Sequence, residues 1–306
     1  MKYHIDTDMG VDDSLALVVA NALLGPSLIA LSTVFGNVDV ATATRNALIF
    51  RRLFKRDDNL RVISGARQAR DGFFRDAKHI HGADGLGGAT AMLQADFLAG
   101  AGADEIEAWA PPSGLAAGDK ITIIALGPLT NVPRLVERYG RQNVSRIVTM
   151  CGVFLDQGNI SPWAEFNAYC DPHALNATLS LGIPVTIVPL DLARKVQLSR
   201  QAMSAPAGRE SSPLINIIVA AHMTYMNFYR EWEGLDGCFP HDALAVYAAL
   251  QPDWFYRVNA NVTADEGAEK RGLTAFRFDK SSDVSIVFGG ELKKVREALG
   301  HWGQYL

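Results

Sequence analysis

The sequence predicts an α/β fold: a mainly parallel, doubly wound (Rossmann-like) central sheet flanked by helices, with a small antiparallel addition near the C-terminus. Three observations carry this expectation. Short, nearly continuous apolar runs at Ile121–Leu126, Arg146–Met150 and Val185–Leu190 have the length and composition of strands buried on both faces of a parallel sheet. Strand-like and helix-length segments alternate from the first residues onward, which predicts right-handed crossovers. Toward the C-terminus the alternation stops, and strand-like runs at Trp254–Val262, Leu273–Phe278 and Val284–Phe288 follow one another before a helix from Gly290 to about Leu299.

In chain order, the opening unit is strand, loop and helix. Tyr3-His4-Ile5 leads into a group of aspartates, and Leu15–Leu24 reads as a buried helix ended by Gly25-Pro26. The second unit repeats the first. Leu28–Phe35 is β-branched and apolar, Gly36-Asn37 breaks it, and Val40–Phe54 has helical length, with Arg and Lys toward the end where they complement the helix dipole. A third strand, Leu60–Ser64, precedes Gly65–Thr90, a glycine-rich stretch holding His79 and His81 that reads as a functional loop. No repeat divides the sequence. Pro111-Pro112-Ser113-Gly114, the nearest thing to a linker, is too short to mark a boundary, so residues 1–306 are read as one domain.

Composition narrows the class of partner. At 48% hydrophobic and 20% charged residues, the chain has enough apolar side chain for a sizeable core, which sets aside a disordered protein. A net charge of −4 offers no attraction to nucleic acid or anionic lipid, and no uninterrupted apolar run has transmembrane length. A small molecule fits better. Cys151, Cys170 and Cys238 lie far apart without a C-x-x-C pair and read as reduced thiols; with aspartates where a secretory signal would be apolar, they point to the cytoplasm.

The chemistry concentrates where the first strand ends. Asp6, Asp8, Asp12 and Asp13 fall together there, with Gly10 available for the turn between them. Clustered carboxylates sheltered from water repel one another, and a hard divalent cation such as Ca²⁺ or Mg²⁺ neutralises them. Asp12 and Asp13 also suit the positive end of a helix beginning near Ser14, but capping accounts for one aspartate better than for four.

The stretch Asp6-Thr7-Asp8-Met9-Gly10-Val11-Asp12-Asp13 resembles the N-terminal signature of the inosine-uridine preferring nucleoside hydrolase family. Phe35-Gly36-Asn37, His79-Ile80-His81-Gly82, Gly127-Pro128-Leu129-Thr130-Asn131, Gly158-Asn159, Ala164-Glu165-Phe166-Asn167, Asp171-Pro172 and His241-Asp242 extend the resemblance, in the family's order, over essentially the whole chain. The resemblance implies an enzyme that hydrolyses the N-glycosidic bond of ribonucleosides to base and ribose. It implies one Ca²⁺ held by the carboxylates of Asp8, Asp13 and Asp242 and the backbone carbonyl of Leu126. The family more often has Thr at the position of Leu126 and Pro at that of Met9, changes that a carbonyl ligand tolerates. On the same basis Asp8 is the general base, and Asp12, Asn37, Asn159, Glu165 and Asn167 hold the ribose hydroxyls. His241 protonates the leaving base, and His81 touches the substrate. Tyr225 and Tyr229, four apart on one face of a presumed helix, are placed to stack on or close over the base; Phe228, Trp232 and Trp163 are further aromatic candidates. A homodimer or homotetramer is expected from relatives.

Two other readings stay open at this point. Asp6-x-Asp8 after a strand also fits the nucleophile motif of a Mg²⁺-dependent phosphohydrolase, although that scheme leaves Glu165-Phe166-Asn167 and His241-Asp242 without a role. A nucleoside-binding protein without turnover would keep the same sugar and metal sites. Neither spacing nor composition chooses between purine and pyrimidine nucleosides.

Overall fold

The computed structural model describes residues 1–94, 97, 103–106, 109–111, 118–204 and 212–306; Pro112, Ser113 and Gly114 lie outside them. Among the described residues ten strands share one sheet: β1 (Lys2–Thr7), β2 (Leu28–Thr33), β3 (Arg61–Ser64), β4 (Asp104–Glu105), β5 (Ile121–Ala125), β6 (Val144–Met150), β7 (Val185–Val188), β8 (Phe255–Ala264), β9 (Thr274–Phe278) and β10 (Val284–Gly290). Their order across the sheet is β4-β3-β2-β1-β5-β6-β7-β10-β8-β9. All pairings from β4 to β10 are parallel, whereas β8 is antiparallel to both β10 and β9. This is the parallel sheet with an antiparallel addition expected from the sequence.

Helices among the described residues include α1 (Val11–Leu24), α2 (Val40–Leu53), α3 (Lys78–His81), α4 (Val132–Tyr139), α5 (Phe166–Cys170), α6 (Pro172–Leu179), α7 (Leu190–Ala193), α8 (Pro213–Glu233), α9 (His241–Leu250) and α10 (Leu292–Gly300). They cover both faces of the sheet, so the central strands need apolar side chains on both sides. In β5, Ile121, Ile123 and Ala125 enter one core with α4 and α6, while Ile124 enters the other with α1, α8 and α9. The chain lays down β1 to β4 in one direction and β5 to β7 in the other. The crevice beyond the carboxyl ends of β1 and β5 is therefore a topological switch point, where open α/β sheets place their ligands.

Two boundaries differ from expectation. α1 begins at Val11 with Gly10 as its N-cap, and its first turn buries Asp12, Asp13 and Ser14, so the helix starts inside the aspartate motif. Polarity there signals a buried site, not a loop. The stretch Gly65–Thr90 is not structureless: it contains α3 and the start of a short 3₁₀ turn at Ala89–Met92, both concealed by the surrounding glycines. All three cysteines are free and buried. Among the described residues no helix is long and apolar enough to cross a membrane.

Candidate active site

Beyond β1 the backbone turns through Met9, a non-glycine residue at φ +49°, whose amide donates to Thr7 Oγ1 at 3.1 Å. That turn separates Asp8 from the N-terminus of α1. Gly10 is required there for space: a Cβ would lie 2.3 Å from Asn37 Nδ2 and 2.7 Å from His81 Nδ1. Asp13, at the third position of α1, accepts from Gly10 N at 2.7 Å, from Asn37 Nδ2 at 3.1 Å and from the Thr7 hydroxyl. Capping and site-building thus meet in one carboxylate.

Asn37 organises the next layer. Its backbone amide donates to Asp8 Oδ2 at 2.8 Å and its side-chain amide to Asp8 Oδ1 at 3.1 Å. Asp12, Asp13 and Asp242 each bring an oxygen within 4.8 Å of the others, a spacing that one metal ion can bridge. Asp8 stands beside this trio, and Asp12, assigned to ribose from the sequence, stands in it. Asp12 Oδ1 is buried and has no hydrogen-bond partner among the described residues. Burial, then the neighbouring carboxylates, pushes Asp8, Asp12 and Asp242 well above the usual carboxylate range; burial also raises Asp13, against several hydrogen bonds. A donor set of oxygens carrying this much buried negative charge fits a hard cation.

Asp6 does not belong to this group. It is fully buried within β1, accepts from Asn131 Nδ2 at 2.8 Å and from the Ser32 hydroxyl, and is raised to about 7 by burial. The four aspartates read together from the sequence are therefore three at the site and one beneath it, and Asp6-x-Asp8 is not a paired nucleophile motif.

Asp8, Asp12, Asn37, His81, Leu126, Asn159, Glu165, Asn167, Tyr225, Tyr229, His241 and Asp242 line one cavity of about 290 Å³, whereas Asp13 is not part of its lining. Glu165 caps α5: Oε1 accepts from Asn167 N at 2.8 Å, and Oε2 from Gly152 N at 2.8 Å and Ala168 N at 3.1 Å. Burial nevertheless raises its pKa. Asn167 Nδ2 donates to the Leu126 carbonyl at 2.7 Å and to the Met150 carbonyl at 3.0 Å, tying α5 to the ends of β5 and β6. Asn159, on the exposed rim, accepts from Phe166 N at 2.9 Å.

The opposite wall is aromatic. His81 is buried, not a solvated loop residue; its Nδ1 accepts from Val11 N at 3.1 Å and its ring stacks on Tyr225 at 5.2 Å. Burial lowers it to about 3, so it is neutral, with its proton on Nε2. The hydroxyls of Tyr225 and Tyr229 are 3.2 Å apart, and Tyr229 Oη lies 3.1 Å from His241 Nε2. Burial, then the charge of Arg194, holds His241 down at about 4.

Phe228 lines the cavity, whereas Trp232 is 72% exposed and Trp163 is absent from the lining. Arg194 and Glu233, at helix C-termini, and Ile160, in the loop between β6 and α5, also line it and went unread, since no local motif marks them. Met150 was foreseeable as the last residue of a predicted strand.

The sequence profile described as "Inosine-uridine preferring nucleoside hydrolase" matches residues 3–297. Uridine nucleosidase 1 of Arabidopsis thaliana is 30% identical over 83% of this chain and 75% of its own length. Non-specific ribonucleoside hydrolase RihC of Salmonella agona is 31% identical over 82% of this chain and 79% of its own. Among solved structures, a plant nucleoside hydrolase, the PpNRh1 enzyme, superposes with a TM-score of 0.84 at 29% identity, covering 98% of each chain.

Proposed function

Because the chain belongs to the inosine-uridine preferring nucleoside hydrolase family, we propose that the aspartate-lined cavity binds one Ca²⁺ and the nucleoside together, with Asp8 as general base. The enzyme hydrolyses ribonucleosides to free base and ribose. The observation that carries the reading is the burial of four carboxylates, Asp8, Asp12, Asp13 and Asp242, around one cavity. Charge of that density persists in a sheltered site only beside a cation or bound protons.

Asp8, Asp13, Asp242 and the Leu126 carbonyl would hold the ion, with Asp12 adjoining; a carbonyl oxygen already accepting from Asn167 retains a second lone pair. When bound, Ca²⁺ would supply positive charge that favours the ionised carboxylates and a lowered pKa for water. Asp8 accepts that water's proton as its oxygen bonds to C1′ and the bond from C1′ to the base nitrogen breaks, the electron pair leaving with the base. Asp12, Asn37, Asn159, Glu165 and Asn167 grip the ribose hydroxyls, and His81, Tyr225 and Tyr229 form the base wall. His241 protonates the leaving base. The Tyr229 hydroxyl, 3.1 Å from His241 Nε2, orients the ring for that transfer.

The chain is proposed to act as one domain, in the cytoplasm, as a homodimer or homotetramer. One sheet drawing on both ends of the sequence supports the first; buried free thiols support the second; the third rests on the family resemblance.

The test is release of base and ribose from uridine, cytidine, inosine and adenosine, with wild type and Asp8→Ala, before and after Ca²⁺ chelation. Both treatments are expected to lower turnover by about 10³-fold or more. Undiminished turnover after either one overturns the metal-and-base reading.

A further inference from the structure

The segment joining β8 to β9 carries a buried arginine that is not part of the cavity lining. Arg271 is 8% exposed, and its guanidinium donates from Nε to the Tyr169 carbonyl at 2.7 Å and from Nη2 to the Cys170 carbonyl at 2.9 Å. Those carbonyls close the last turn of α5. A helix leaves its final carbonyls without partners, and here Pro172 follows at once, while Ala174 N is taken by Asp171 Oδ1 at 2.9 Å. Arg271 supplies the missing donors. It is fixed in turn by Asp71, whose Oδ2 lies 2.7 Å from Nη1, and by the Phe73 ring, whose centroid is 4.2 Å from the guanidinium carbon.

The same segment grips the start of that region. Leu273 bridges to Ala164, and Thr274 Oγ1 donates to the Val153 carbonyl at 2.6 Å while accepting from Val153 N at 3.1 Å. Gly272, at φ +75°, passes so close to α5 that a Cβ would lie 2.4 Å from Tyr169 Cα. A helix of five residues has no stability of its own. Its geometry is set at one end by the Glu165 cap and at the other by Arg271.

We propose that Arg271 is a positioning residue for nucleoside binding, clamping the C-terminal end of α5 so that Glu165 and Asn167 meet the ribose in register. The inference rests on reading those two residues as ribose contacts. It gives the antiparallel addition a part in the reaction, although none of its strands reaches the cavity.

The test compares kcat, KM for the best nucleoside and thermal midpoint in Arg271→Met, Arg271→Lys, Asp71→Asn and Asn167→Ala. Arg271→Met keeps the aliphatic stem and removes every donor, and is expected to raise KM about 10-fold with a smaller change in kcat. Arg271→Lys, able to satisfy one carbonyl, is expected to fall between it and wild type. Asp71→Asn leaves both carbonyl bonds in place and is expected to stay within about 3-fold of wild-type KM. A lower midpoint with wild-type KM in Arg271→Met assigns Arg271 to stability alone and overturns the inference. Should that variant not fold, wild-type KM in Arg271→Lys overturns it equally. If Asn167→Ala itself leaves KM unchanged, the ribose reading fails and removes the premise; a raised KM there with unaffected arginine variants refutes the positioning role alone.

Discussion

His4 shows how a single buried ring ties the site's foundation to pH. Its Nδ1 lies 2.8 Å from the Tyr139 hydroxyl and its Nε2 2.9 Å from the Ser32 hydroxyl, and burial lowers its pKa to about 3. The unfolded chain, with histidine near 6.5, then binds a proton that the folded chain refuses. His4 therefore contributes full stability above about 6.5, and the contribution is lost as pH falls toward 3. Urea unfolding at pH 7 and pH 5 is expected to show wild type losing about 2 kcal/mol more than His4→Gln over that interval; equal losses contradict the assignment. Nothing in the sequence marked His4, because a histidine in a short strand carries no sign of which face it occupies. Asp8, Asp12 and Asp242 were legible because a motif named them. Their hydrogen-bond partners were less so: that Glu165 spends both oxygens on backbone amides follows only once α5 is seen to begin beside it.

Elements, more than residues, decide where the sequence could be read. The strands β5, β6 and β7 were plain, since burial on both faces leaves an unbroken apolar run. α1 was clipped because its first turn consists of buried aspartates, and β4, with two residues, falls below any periodicity. The glycine-rich stretch concealed a different kind of order. Asp84 accepts from Leu86 N at 3.0 Å, Gly88 N at 2.8 Å and Thr90 N at 3.1 Å, and Asn46 Nδ2 reaches the Asp84 carbonyl at 2.7 Å and the Met9 carbonyl at 3.4 Å. The stretch is thereby bolted to the aspartate turn, with His81 between. Gly10 lies at that junction, and Gly10→Ala is expected to displace Asn37 and His81 together. Turnover should fall about 100-fold while the far-ultraviolet spectrum is kept; near-wild-type turnover would show that the contact yields without consequence.

At the scale of the whole molecule, one sheet brings together a signature from the first residues, the cap of α5 and the start of α9, and the switch point between β1 and β5 decides where they meet. That meeting place was legible from strand alternation; the antiparallel segment's grip on α5 was not, because no local pattern reports a contact between residues a hundred apart. Collecting buried carboxylates there makes folding and metal binding one equilibrium. Ca²⁺ at about 100 times its Kd is expected to add about 2.7 kcal/mol to stability and roughly 4 °C to the thermal midpoint, an increment that Asp13→Asn should largely abolish. The three free thiols carry a further consequence. Cys151, Cys170 and Cys238 are sealed in the interior, where burial suppresses the thiolate that an alkylating reagent attacks. Each is consumed only when its own neighbourhood opens, so mass spectrometry after timed alkylation converts the chain into its own record of opening events, with separate marks at the end of β6, the end of α5 and the approach to α9.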